Sequence, residues 1–442
     1  MKSNITGAPI PEAADVSGEV AAQFTGYAGP LLRLLDRRLD ARLVRTFAGT
    51  VINIVRHRDR ALSLLLTELG ELLIDGAHAP AGVKRLERLL SSPKWAASVV
   101  GDWLLGQADR AVETAVGQDA VALLALDGSV VEKPTARKLE GLTKVRSAKA
   151  ALLQRASGGP PPERPVVVPG FNWVAAVVTG LSGGLTLARL HWYSPTAPGE
   201  EAQKQREAEW SVLGPLLKRW GRKIVCLLDR GFDSHPFLGR IMEAGGRFIV
   251  RWRSDFNLVS SNGEEKRAGL LSRKVRSQWF LELKDKRHHE RFTLAVASLP
   301  VTLPGSTVPL WLVVGRRKAK KAWWFLTTEY AGEEEPALWV VRAYARRWQV
   351  EWAFRYDKSE LGMESVRIRL WRYREKMWAM AELVHAFLLH LLDLGEDLLA
   401  RILRWCHRTG RRWARVIAPL YRLRHALASI WTAHAPTINW SQ

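Results

Sequence analysis

The chain has 442 residues, is 47% hydrophobic, and carries 66 Lys and Arg against 44 Asp and Glu, a formal charge of +22. That length allows several domains of roughly 100–200 residues each, and the apolar share supplies a sizeable core and excludes global disorder. The basic excess calls for a polyanionic partner, either nucleic acid or an acidic membrane surface.

The rarer residues narrow the class further. Two Cys, Cys226 and Cys406, make neither a disulfide framework nor a Cys-rich zinc site, so a reducing compartment is expected. Twenty Trp exceed what a core of this size needs. Indole is costly to bury fully, so the excess is expected on surfaces that meet a flat, polar partner. Met1 to Gln23 has no apolar signal-peptide core.

From Pro30 to Gln118 the apolar spacing is helical, with Leu35, Leu39 and Leu43 on one face and Arg between them. At Val121 the period changes. Val121 to Leu126 is a continuous apolar run ending in Asp127, the pattern of a buried central strand. A basic, Gly- and Pro-rich passage from Lys133 to Pro165 predicts a loop. Trp173–Thr179 and Leu185–Tyr193, joined by a turn holding Gly180, Gly183 and Gly184, predict a hairpin. A helix from Glu200 to Trp220 follows, then a second buried run, Ile224–Leu228, ending in Asp229. Ser234-His235-Pro236 opens another helix, and Phe248–Trp252 another strand. Residues 254–328 turn β-like, with strands at Trp279–Leu283, Phe292–Val296, Pro309–Val314 and Trp323–Thr328. From Glu334 the chain reads as helix to its end. Leu383–Leu403 is apolar, but His385, His390, Asp393, Glu396, Asp397 and Arg401 interrupt it, which predicts an amphipathic helix and no membrane span.

Two buried strands that each end in Asp place Asp127 and Asp229 where a hard divalent cation can be shared. Each taken alone also reads as an ordinary turn residue. Tyr344, Arg347, Glu351 and Lys358 project at roughly 0°, 300°, 340° and 320° around a helix, one stripe about 60° wide. Ala343, Val350, Phe354 and Leu361 form an apolar stripe beside it. A carboxylate flanked by two cations and a phenol suits a place where metal and phosphates meet. An exposed helix with an Arg347–Glu351 i,i+4 pair is the plainer account.

The spacing Tyr-x₂-Arg-x₃-Glu-x₆-Lys over residues 344–358 resembles the signature of insertion-sequence family 4, the bacterial cut-and-paste DDE transposases. The resemblance takes in Leu126-Asp127-Gly128-Ser129, Leu228-Asp229-Arg230-Gly231-Phe232 and the β-rich stretch between the second Asp and the Glu, about residues 120 to 390 in all. It implies an α/β, ribonuclease-H-like catalytic core interrupted by a β-rich insertion, with an α-helical DNA-binding region before it and an α-helical region after it. The divisions expected are 1–118, helical and bound to transposon ends; 119–253 and 329–374, the core; 254–328, the insertion; and 375–442, helical and available for dimerisation.

By the same resemblance Asp127, Asp229 and Glu351 hold Mg²⁺, with Mn²⁺ as substitute, for two-metal phosphoryl transfer. Tyr344, Arg347 and Lys358 hold DNA phosphates. The partners implied are transposon-end DNA, target DNA and a second copy of the chain in a synaptic dimer, in the bacterial cytoplasm at the nucleoid. Family members often pass through a DNA hairpin with a flipped base stacked on an insertion Trp. Trp279, Trp311, Trp323 and Trp324 are the candidates, with Trp252 at the insertion's edge, and alternation puts Trp323 and Trp324 on opposite faces. Residues 251–330 hold 16 Lys and Arg against 7 Asp and Glu, a DNA-facing balance. The Arg37, Arg38, Arg42, Arg45 and Arg56–Arg58 cluster suits phosphate contacts, or equally the solvated face of a helical bundle.

Two rivals keep the fold: a domesticated or inactive DNA-binding protein, and another ribonuclease-H-like nuclease such as a junction resolvase. Asp233 reads as part of a helix-start turn, and Asp357 falls off the stripe. His288-His289-Glu290 lacks partners at zinc spacing.

Overall fold

Five successive apolar residues with no polar alternation can be satisfied only between two strands and under two layers of cover. Ile224–Leu228 meets that condition as β5 of a computed structural model in which every one of its residues is buried. The structure describes residues 10–56, 64–74, 76–150, 153, 165–199, 202–284, 291–394, 396–406 and 420–440.

β5 lies between β1 (Ala122–Glu132) and β6 (Arg247–Arg251), parallel to both. On the other side of β1 run β3 (Val167–Thr179) and β4 (Leu185–Tyr193), the expected antiparallel hairpin. The order through this half is therefore β4-β3-β1-β5-β6. β1 does not stop at Asp127. It pairs with β3 from Leu123 to Glu132, whereas its pairing with β5 ends at Leu126 opposite Leu228. Beyond that point the β5 side of β1 is open, and Asp127 stands at the start of the open edge.

One expectation is corrected here. The basic stretch after Lys133 is not all loop: Thr143–Arg146 forms β2, which pairs with a β3 that begins six residues before the expected Trp173. Short edge strands need only one hydrogen-bonded neighbour, so β2 carries no buried run to betray it. Gly158–Pro162 lie outside the described residues. The strands of residues 254–328 join the same sheet. β7 (Asn257–Ser260), β8 (Glu265–Arg267), β9 (Trp279–Lys284), β10 (Arg291–Thr302), β11 (Leu310–Arg316) and β12 (Trp323–Thr327) continue the core sheet, because β12 pairs with β6. The described strands thus form one 12-stranded sheet.

The sheet separates two apolar layers. Beneath it lie α6 (Gln205–Trp220) and α7 (His235–Glu243). Above it lie α9 (Glu334–Arg346), α10 (Trp348–Arg355) and α11 (Trp371–Asp393). The two chain ends share this upper layer. α1 (Ile10–Asp36) and α2 (Ala41–Arg56) pack with α11 and with α13 (Leu420–Ala433), and Arg401 of α12 (Glu396–Leu403) pairs with Glu19 at 2.6 Å. The apolar stretch from Leu383 is split between α11 and α12, and among the described residues no single helix is long and apolar enough to cross a membrane.

Part of the Trp excess goes inward, against expectation, while Trp348 and Trp352 beside Glu351 are exposed. Trp173, Trp252, Trp371, Trp378 and Trp431 are fully buried. Trp192 stacks between Trp173 and Trp378, with ring centroids 4.7 and 3.5 Å away, and Trp173 meets Phe354 of α10 at 5.1 Å. The large flat rings fill the wide gap between a sheet and the helices over it, and this column fixes α10 on the sheet. Trp378→Ala is expected to lower the unfolding free energy by about 3–5 kcal/mol, measured by urea denaturation, with Trp378→Phe losing less.

Candidate active site

Asp127 follows Leu123 and Ala125 on the upper face of β1, by strand alternation. Asp229 is the first residue past β5, one position beyond the Leu126–Leu228 pair. Two parallel strands therefore deliver the two aspartates side by side where the pairing of β1 with β5 ends, the edge at which open α/β sheets bind ligands. Glu351 comes down from above on the first turn of α10, which packs over β1 and β3 with Val350 and Phe354 buried.

Arg347 joins the two levels. It is buried, and its Nη1 donates to Asp127 Oδ2 at 2.9 Å while its Nη2 donates to Glu351 Oε1 at 2.6 Å. The sequence offered the Arg347–Glu351 pair as an ordinary surface contact; the shared third partner, Asp127, makes it part of a site. Burial opposes the guanidinium's charge, but Tyr344, Asp127 and Glu351 outweigh it and hold Arg347 above its usual value. Burial pushes the Asp127 carboxyl up to about 7, the charge of Asp229 adds to the rise, and Arg347 works against it. Tyr344 is half-buried, with its ring 4.8 Å from Phe325 and its hydroxyl pushed up to about 12 by burial.

Lys358 follows a different path from the rest of its stripe. A constant 100° per residue fails after Arg355, where α10 passes into a π-turn, Tyr356–Glu360. Asp357 is buried in that turn against His385 Nδ1 at 2.6 Å. Lys358 has Glu364, Glu132, Lys149 and Asp357 as its charged neighbours, whereas those of Asp127 are Asp229, Arg347 and Glu351. Tyr344, Arg347 and Glu351 meet the two aspartates; Lys358 stands apart beside the far end of β1.

Arg251 escaped the sequence reading. It stands one residue past the Leu228–Val250 pair, level with Asp229, and its guanidinium lies over the rings of Phe325 and Trp323 at 5.0 and 5.4 Å. Burial lowers it to about 10, and the Tyr344 phenol and the Arg230 guanidinium are its neighbours. The available signal was a cation closing a buried strand beside one that ends in Asp. Trp323 and Trp324 do face opposite ways. Trp323 shares the upper layer with Trp279, Trp311, Phe325 and Tyr344, while Trp324 lies in the lower layer and donates to Ser272 Oγ at 3.0 Å. Trp252 is buried and stacked on His235. Asp233 is held by Arg253 at 2.5 and 2.9 Å, as befits a turn residue. His288–Glu290 lie outside the described residues, as do His57 and Arg58; Arg37, Arg38, Arg42 and Arg45 are exposed.

Among the described residues no three His, Cys, Asp or Glu side chains converge at ligating distance, and the Arg347 guanidinium lies between Asp127 and Glu351. The donor set nonetheless fits a hard divalent ion. Mg²⁺ takes one or two carboxylates and completes its shell with water and phosphate oxygens. Burial and, after it, the charge of Asp229 raise Asp127, and such an ion relieves both.

Residues 169–387 match the family described as the transposase DDE domain, a span that holds Asp229, Tyr344, Arg347, Glu351 and Lys358 and begins after Asp127. Among solved structures the chain is similar to the piggyBac transposase in a cryo-EM structure of its synaptic complex with hairpin DNA. That likeness has 14% identity and a TM-score of 0.39 over 97% of this chain and 82% of the other. Nothing among curated proteins matches the chain.

Because Asp127 titrates higher folded than the usual unfolded value of about 3.9, ionising it costs the folded chain. Its protonated form contributes stability that is fully present below about pH 4 and lost as pH rises through about 7. Asp127→Asn removes that dependence. In melting curves recorded in EDTA, the difference in Tm between the variant and the unaltered chain is expected to move in the variant's favour from about pH 5 to about pH 8.

Proposed function

We propose that this chain is a metal-dependent DDE transposase of the insertion-sequence family 4 kind, which binds the inverted repeats at transposon ends, cleaves there and joins the excised element to target DNA. The observation that carries the reading is the convergence of Asp127 and Asp229 from adjacent parallel strands under a helix bearing Glu351 and Arg347, within or next to the span that matches the transposase DDE domain. The strand order β4-β3-β1-β5-β6, an antiparallel hairpin and first strand followed by two parallel strands, supports a ribonuclease-H-like core.

A pair of divalent cations held by Asp127, Asp229 and Glu351 would activate the attacking oxygen and neutralise the leaving one. The remaining work is positioning and charge balance. Arg347 gives up part of its carboxylate pairing to a DNA phosphate, the Tyr344 hydroxyl stays protonated and donates, and Lys358 meets the strand farther along. Trp323, on the same face as Tyr344, is the preferred platform for an extruded base in a hairpin intermediate. The exposed Arg37, Arg38, Arg42 and Arg45 hold the backbone of the end sequence, and two copies of the chain synapse two ends.

The test is a cleavage assay in Mg²⁺ or Mn²⁺ on DNA carrying the inverted repeats that flank the gene. Asp127→Asn, Asp229→Asn and Glu351→Gln are each expected to slow nicking at least roughly a hundredfold while end binding persists. Binding without nicking by the unaltered chain overturns the enzymatic reading in favour of a DNA-binding protein of this fold. Nicking by Glu351→Gln at the unaltered rate overturns the site assignment. Over a salt series, log K is expected to fall linearly with log salt, and Arg42→Ala to reduce the slope by about 1.

A further inference from the structure

Asp229 is set by a turn, and the turn is held from the opposite face of the sheet. Its Oδ1 accepts from the Gly231 backbone N–H at 2.7 Å, which orients the carboxylate. The carbonyl of the same Gly231 accepts from Arg206 Nη2 at 2.5 Å. Arg206 stands on the first turn of α6, lies over the rings of Phe232 and Phe237 at 5.5 and 5.3 Å, and donates through Nη1 to Glu209 Oε2 at 2.6 Å. Glu209 is 1% exposed and is anchored again by Gln205 Nε2 at 2.8 Å.

The chain of contacts is thus Glu209 to Arg206 to the Gly231 peptide to the Asp229 carboxylate. Burying a carboxylate there carries a desolvation penalty that one ion pair seldom repays, and burial and the charge of Asp229 both raise Glu209. A purely structural helix start has no need of it. Gly231 adds a second, independent constraint: a Cβ there would stand 2.9 Å from Asp229 Oδ1, so any larger residue pushes the carboxylate off its N–H.

From this geometry we infer that Arg206 and Glu209 are positioning residues for Asp229, fixing the carboxylate that faces Asp127 so that the pair is ready for a divalent cation. The inference rests on the metal-site reading proposed above. Arg suits the task because its planar fork holds a carboxylate and a carbonyl in fixed relative directions.

The experiment titrates Mn²⁺ into the full-length, DNA-free chain by calorimetry, with melting curves in EDTA as the control for folding. Arg206→Ala and Gly231→Ala are each expected to weaken Mn²⁺ binding by roughly 10–100-fold, as removal of the partner that orients a metal ligand does elsewhere. Arg206→Ala/Glu209→Ala is expected to weaken it no further than Arg206→Ala alone, because the two act as one unit. Gly231→Ala leaves the Arg206–Glu209 pair intact, so it still reports on the turn if Arg206→Ala does not fold. Unchanged Mn²⁺ affinity in folded Arg206→Ala overturns the positioning role of Arg206 and Glu209, and unchanged affinity in Gly231→Ala overturns the role of the turn through which they act. An unaltered chain that takes up no Mn²⁺, or takes it up as tightly when Asp229→Asn is introduced, overturns instead the metal-site reading on which that role rests.

Discussion

Holding Asp127 and Asp229 close together in a partly buried place is unfavourable. Each charge loses water and each repels the other, and the carboxyl of Asp127 rises in response. Much of the architecture answers that one repulsion. Arg347 sets a buried guanidinium against Asp127 and Glu351. It stays in place because α9 and α10 meet at it, and α10 in turn is anchored by Phe354 on the column of Trp173, Trp192 and Trp378. From below, α6 fixes the turn after β5 through Arg206. The upper layer thus holds Asp127 and the lower layer the turn of Asp229, with the guanidinium as the counter-charge between Asp127 and Glu351.

The parts legible in the sequence are those with a short-range physical signature. Continuous apolar runs give β1 and β5 because burial on both faces tolerates no polar alternation; the Asp that ends each run marks the strand end in β5, whereas β1 continues past Asp127 to Glu132. The helical stripe holds for Tyr344, Arg347 and Glu351, which lie within two turns. It fails at Lys358 because one π-turn changes the phase, and within that turn Asp357 is buried against His385, 28 residues away in α11. Nothing local encodes such a contact. The strands β2, β7 and β8 are short and half-exposed, so they carry no apolar period. The union of core and insertion in one sheet depends on β12 choosing β6 as neighbour, a long-range pairing that composition does not specify.

The misjudged Trp shows the same limit from another side. Their number was read against the difficulty of burying indole. A fold that stacks several rings on one another removes much of that difficulty, since the flat faces satisfy each other and the wide gap between sheet and helices must be filled by something large. Counting Trp therefore says little about surfaces until the stacked ones are subtracted.

The continuity of the sheet matters for how DNA would meet the site. A subdomain on a flexible tether could place Trp323 at many distances from the carboxylates. Here β12 is hydrogen-bonded to β6, and β6 to β5, so only one strand separates the strand of Trp323 from the strand that ends at Asp229. Strands lie about 4.8 Å apart, and both Arg251 and Tyr344 stand between the two. The geometry of the insertion relative to the aspartates is then fixed by backbone hydrogen bonds rather than by side-chain contacts. A nucleotide stacked on Trp323 and a phosphodiester held at Asp127 and Asp229 would be related by a span that the sheet itself sets, and a flexible strand, not the protein, would do the adjusting.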